Sequence, residues 1–289
     1  MNKNQEKTKE ALAKIEAAVE NIRTNEDWLQ YLAFQAKFYR YSARNVLLIR
    51  AQNPEARYVK GYKAWRELDR FVKKGAKGIA ILAPCIKKVE EYKEPADKSE
   101  YQDKKGEKVT KNVLVGFTVK YVFDLADTDG SDEHLPILVK GLSGNSADEQ
   151  ALYKQLEAVI AAQGHIIREV TGTASKGSFN ISTGVISIRS DLEALQRIKT
   201  LLHEYGHAVD FAMNPDENIS RPHRELVAES VAYIVAHRLG LDVSRYSSGY
   251  LASWGGEAGE LAVVADTAQK VAMKIIDKLA ESEDFAFLI

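Results

Sequence analysis

The chain has 289 residues, enough for two domains of ordinary size, and its 45% hydrophobic and 28% charged residues exclude the disordered and fibrous classes. No apolar stretch approaches the roughly 20 residues of a membrane span, and the charged start lacks the apolar centre of a secretory leader. A single cysteine, Cys85, excludes an internal disulfide framework, so a cytoplasmic protein with no membrane partner is expected.

The net charge of −1 conceals a division. Residues 35–120 hold 21 Lys/Arg against 10 Asp/Glu, a balance of +11, and the remainder carries −12. Such asymmetry predicts one part of the chain that meets a polyanion and another that does not.

Along the chain, an amphipathic helix is expected over residues 5–22, where Leu12, Ile15, Ala18 and Ile22 recur at helical spacing. A second covers 26–39, with Asn25 as N-cap and Trp28, Leu32 and Phe34 on its apolar side. A third spans 42–52 and stops before Pro54; a fourth spans 62–71. Strands follow at 78–83 and at 113–124, the latter alternating and rich in Val, Phe and Tyr. Between them, residues 87–111 contain only Val89 and Val109 as aliphatic residues larger than alanine. That composition predicts a solvated hairpin tip or disordered arm, whose lysines and tyrosines could touch nucleic acid. Turn-formers over 127–146 predict a linker, dividing a domain of 1–126 from one of 147–289. Beyond the linker a helix is expected at 148–163, a strand at 166–170, and a hairpin at 177–188 turning at Thr183-Gly184. Helices at about 190–213, 221–239 and 256–282 complete an α+β reading.

The chemistry is concentrated in His203-Glu204-Tyr205-Gly206-His207, an HExxH motif. Residues four apart lie one turn apart on one helical face, so two imidazoles can grip one ion, zinc being the natural choice. Glu204 falls beside them as a candidate general base. On the same helical wheel Ile198, Leu201, Leu202, Tyr205, Ala208, Val209 and Ala212 form one stripe, opposite the histidines. A third histidine six residues after His207 is absent, since Met213 stands there. The next helix instead carries Glu225 and Glu229 on a face with Ala228, Ala232 and Ala236. Small residues would let the two helices approach closely, bringing Glu225 to the ion, with Glu229 one turn further along the same face. His223 and His237 remain rival ligands; His134 and His165 have no motif around them.

Single-stranded nucleic acid is held by basic grooves interleaved with aromatic platforms. Residues 28–123 contain 15 of the chain's 25 aromatics, many beside a cation. The candidates for DNA binding are Arg40, Tyr41, Arg44, Tyr58, Lys60, Tyr62, Lys63, Trp65, Arg66, Lys73, Lys74 and Lys77. Core packing is expected to claim some of Trp28, Phe34, Trp65 and Phe71.

The HEYGH motif followed by Glu225-Leu-Val-Ala-Glu229-Ser-Val-Ala232 is similar to the gluzincin pattern of ImmA/IrrE-type peptidases. That resemblance implies Glu225 as third zinc ligand, with Glu229, where the family usually has Asn or Asp, as partner of a ligand histidine or as the alternative metal ligand. Residues 42–84 and Lys120–Gly130 resemble the N-terminal domain of ArdC-type antirestriction proteins, with Asp127 where that family commonly has Gln. Arg224–Glu229 and Tyr250–Trp254 match ArdC-like proteins as well. The resemblance implies a protein of mobile genetic elements with an N-terminal single-stranded-DNA-binding domain and a C-terminal zincin-like metallopeptidase domain. A regulatory protease that cleaves a repressor or other DNA-bound protein is the alternative, and a non-enzymatic protein with a structural zinc is a third reading that retention of Glu204 disfavours.

Overall fold

The computed structural model describes residues 3–92, 108–135, 146–247 and 258–288. Its first helix, α1 (Lys3–Glu20), buries Ala11, Ile15 and Val19. α2 (Asn25–Lys37) opens on a capping box in which the Asp27 backbone N–H donates to the Thr24 hydroxyl oxygen and the Thr24 backbone N–H donates to the Asp27 carboxylate. The N-cap is therefore Thr24 and not Asn25, whose amide instead donates to the Ser247 carbonyl. α3 (Ala43–Gln52), capped by Ser42, buries Val46 to Ile49.

Residues 59–130 build the N-terminal β structure. After β1 (Val59–Lys60), α4 (Tyr62–Arg66) is a short helix that does not reach residue 71. Asp69 takes a φ of 54°, left-handed backbone that turns the chain out of the helix and into β2 (Arg70–Val72). β3 (Ile79–Tyr92) and β4 (Lys108–Asp124) pair antiparallel along their whole length, with one irregularity between Cys85 and Ile86. The expected loop over 87–111 thus continues both strands, and only 93–107 lie outside the described residues. Ladder hydrogen bonds do not require an apolar face, and Lys87, Lys88 and Lys111 keep their side chains in solvent. β1 joins the other edge of β4, giving the order β1-β4-β3. β5 (Thr128–Gly130) pairs with β2, so the first residues of the expected linker belong to this β structure. Buried Arg70 fastens the two strands by donating to the Thr128 hydroxyl and to the Gly130 and Ser131 carbonyls. Residues 136–145 of that linker lie outside the described residues, as does the Tyr250–Trp254 match.

The C-terminal part begins with α5 (Ser146–Ala162), β6 (Ile166–Val170), β7 (Gly177–Asn180) and β8 (Val185–Arg189). β6 lies parallel to β8, and β7 pairs antiparallel with β8 at the sheet edge. The β7–β8 turn places Gly184 at φ 68°, which glycine adopts without steric cost. Three long helices follow: α6 (Ala194–Met213), α7 (Arg221–Arg238) and α8 (Ala258–Ala280). α7 packs against α6, α8 and the N-terminal α2. Trp28 Nε1 donates to Ser230 Oγ at 3.2 Å, and Gln35 Nε2 donates to the Ala265 carbonyl at 3.0 Å. One hydrophobic core therefore runs from α1–α3 through α7 to α8. Among the described residues no helix is long and apolar enough to cross a membrane.

Candidate metal centre

α6 turns one apolar stripe inward, burying Ile198, Leu201, Leu202, Tyr205, Ala208 and Val209. Its approach to α7 is set by Gly206. A Cβ there would stand 3.3 Å from Val231 Cγ1 and 3.5 Å from the Ala228 backbone, so Val231 would have to give by a few tenths of an ångström to admit even a methyl, and a larger side chain would crowd α7. The far end of the pair is fixed by buried Arg224. Its guanidinium donates to Asp210 Oδ2 (2.8 Å) on α6 and to the carbonyls of Asn214 (3.0 Å) and Asp216 (2.7 Å) in the connection. Spacing within each helix thus becomes spacing across the interface.

The result brings three donor atoms together. His203 Nε2 lies 3.2 Å from His207 Nε2 and 3.4 Å from Glu225 Oε2, and His207 Nε2 lies 3.5 Å from Glu225 Oε2. Ligand atoms of one tetrahedral ion, each about 2.1 Å from it, stand roughly 3.4 Å from one another, so the cluster has the dimensions of a single-ion site. No other set of three such residues assembles among the described residues. Glu229 is placed differently: its Oε2 is 3.1 Å from His203 Nδ1, on the far side of that ring.

Charges in the cluster perturb one another. Burial depresses the His203 imidazole, but hydrogen bonds to Glu225 and Glu229 outweigh it and push it up to about 9. The same bonds from His203 and His207 hold the Glu225 carboxyl well below its ordinary value. Burial raises Glu229, and the His203 hydrogen bond and the Lys199 ammonium more than offset this, leaving it lowered. Glu204 goes the other way, raised chiefly by burial. β7 lies directly over it: a Cβ on Gly177 would come within 2.6 Å of Thr200 Cγ2 and 2.9 Å of Glu204 Oε1.

These groups line a cleft of about 850 Å³, walled by Lys176, Gly177 and Phe179 on the β7 side and by Phe211, Ile219 and Arg221 opposite. The other histidines take no part in the cluster. His134 lies 3.5 Å from Asp69, His165 turns its ring edge to Tyr205, and His237 stacks on Tyr233. His223 occupies the first turn of α7, where its backbone N–H donates to the capping Ser220 hydroxyl. Lys199, the buried cation on Glu229, was not apparent from the sequence; its only signal is its place one turn before His203.

The basic candidates divide by exposure. Arg44, Tyr62, Lys63, Arg66, Lys74 and Lys77 are open to solvent, Tyr62 at 53%. Arg40 is exposed but pairs with Asp277, and Lys73 pairs with Asp129. Lys60 is half-buried, 5.3 Å from the Tyr58 ring. Trp65 is withdrawn from the proposed platform: it is 0% exposed, its Nε1 donates to the Phe123 carbonyl, and Tyr58 packs edge-on against it. Tyr41 is half-buried with its hydroxyl donating to the Val59 carbonyl. Of the four aromatics considered for the core, Trp28, Phe34 and Trp65 are buried, but Phe71 is 55% exposed. Strand alternation on β2 explains this, since Arg70 takes the inward position.

Among known proteins, an uncharacterised protein of Bacillus anthracis is 26% identical over 86% of this chain and 46% of its own length. The chain thus spans about half the length of that relative. Two crystal structures of the antirestriction protein ArdC from plasmid R388 are also similar. The metal-free form is 21% identical with a TM-score of 0.49, and the Mn(II)-bound form 20% identical with a TM-score of 0.47. Each comparison covers 84% of this chain and 86% of the other. Residues 1–123 match the family model of the N-terminal domain of anti-restriction factor ArdC.

Proposed function

We propose that this chain is an antirestriction-type protein of a mobile genetic element, binding single-stranded DNA through its N-terminal half and carrying a zinc-dependent peptidase centre between α6 and α7. The observation that carries the peptidase reading is the convergence of His203 Nε2, His207 Nε2 and Glu225 Oε2 within 3.5 Å of one another beside Glu204. Two imidazoles and one carboxylate form the donor set of catalytic zinc sites, which keep a fourth position open. A zinc ion held by His203, His207 and Glu225 would supply Lewis acidity toward a peptide carbonyl and a water molecule. Glu204 takes the proton of the attacking water and passes it to the departing amide nitrogen, leaving a carboxylic acid and an amine. Glu229 accepts from His203 Nδ1 and so leaves Nε2 facing His207 Nε2 and Glu225 Oε2.

The antirestriction reading rests on the family description for residues 1–123, and the DNA-binding reading rests on the +11 balance of residues 35–120. Exposed Tyr62, Lys63, Arg66, Lys74 and Lys77 supply the cations and a stacking ring. The peptidase reading is tested by digesting a peptide library with the zinc-loaded full chain and with Glu204→Gln, read by mass spectrometry. Cleavage by the first and none by the second, with zinc retained in both, is expected. Equal cleavage by both, or none by either, overturns it.

A further inference from the structure

Lys199 stands one turn before His203 on α6, so both side chains leave the helix on the same side. Its side chain is only 9% exposed, and an ammonium so placed is costly unless it is paired and hydrogen-bonded. The pair is Glu229 on α7, whose side chain is 4% exposed and whose Oε2 lies 2.5 Å from Lys199 Nζ. The same oxygen faces His203 Nδ1 at 3.1 Å, while Glu229 Oε1 is buried with no hydrogen-bond partner. A carboxylate held through one oxygen by two donors has its rotation set by both. Removing the lysine would leave a buried carboxylate tied only to the imidazole.

We propose that Lys199 is a positioning residue for the metal centre: its ammonium holds the Glu229 carboxylate against His203 Nδ1, so that His203 directs Nε2 at the ion. This rests on the metal-centre reading above. The Lys199–Glu229–His203 chain crosses the α6–α7 interface and adds a register lock that Gly206 and Ala228, which set only the separation, do not provide.

The test is a variant cycle read by zinc affinity of the full chain, using competition with a chromophoric chelator. Lys199→Met should weaken zinc binding 10–100-fold, the range for groups that orient a ligand histidine. Glu229→Gln alone should also weaken it, because it removes the carboxylate charge that faces the buried ammonium. The double variant Lys199→Met/Glu229→Gln should recover to within a few-fold of wild type, since the amide oxygen still accepts from Nδ1–H and no charge is left unpaired. Proton NMR of the zinc-loaded proteins gives a second readout. The hydrogen-bonded His203 Nδ1–H resonance should be present in wild type and the double variant and displaced in Lys199→Met. If Lys199→Met fails to fold, the comparison of Glu229→Gln with the double variant decides alone. Equal zinc affinity in Lys199→Met and wild type overturns the proposal, as does a double variant no better than the worse single. Both results would leave the metal centre standing; wild-type protein that binds no zinc would instead remove the centre itself.

Discussion

Tyr62 and Trp65 sit within one short helix and do opposite work. Trp65 fills the space between α4 and the end of β4, so Trp65→Ala should cost about 3–5 kcal/mol of stability through the cavity it leaves. Tyr62 leaves 53% of its surface in water, and Tyr62→Ala should barely change thermal unfolding. Its effect is expected on single-stranded DNA instead, a loss of about 1–3 kcal/mol of affinity in fluorescence anisotropy with an unchanged salt slope. A Tyr62→Ala protein that binds DNA like wild type would remove that ring from the interface. Gly177 makes a third residue-level test. Its missing Cβ lets β7 lie on Thr200 and Glu204, so Gly177→Val should cost roughly 1–3 kcal/mol and displace the base. Wild-type melting and turnover in that variant would show that β7 can move away freely.

At the scale of elements, the α6–α7 pair decides whether the three candidate ligands come together. Ala228→Leu alters no candidate ligand, yet it should abolish tight zinc binding by forcing α7 away from Gly206. Chelator competition measures this, and zinc affinity equal to wild type would mean the helix separation is not what assembles the site. This part of the molecule was legible in the sequence for a physical reason. Helical periodicity is a strict rule, so His203, His207, Glu225 and the alanines around Glu229 announce their faces without tertiary information. Elsewhere local signals misled. The helix expected over 62–71 ends early because the Asp69 turn and the pairing of β2 with β5 override the apolar pattern. For the ribbon flanking residues 93–107 the composition left a hairpin tip and a disordered arm equally open, because its charged positions carry no alternation and its order comes from backbone pairing with the partner strand. Lys199 escaped notice because composition places lysines in solvent, and only the packed interface reveals Glu229 opposite it.

On the scale of the whole molecule, the basic N-terminal part and the candidate metal centre share α7. α2 packs on one side of that helix while Glu225 and Glu229 face α6 on another. A fragment ending at residue 126 would expose Trp28, Tyr31 and Gln35, which are buried against α7 and α8 in the intact chain. It should therefore melt at a lower temperature and less cooperatively than the full protein by circular dichroism; an equally sharp, equally high transition would mark the first 126 residues as independent. DNA binding by the intact chain should weaken with salt by about −0.7 in log–log slope for each phosphate neutralised. The measurement that bears most directly on the metal centre is zinc content after dialysis, by plasma mass spectrometry, on wild type, His203→Ala, Glu225→Ala and Glu204→Gln. About one zinc per chain in wild type and Glu204→Gln, with loss in His203→Ala and Glu225→Ala, is the predicted result. Zinc retained in Glu225→Ala, or lost from Glu204→Gln as fully as from His203→Ala, would contradict the assignment of ligands and base.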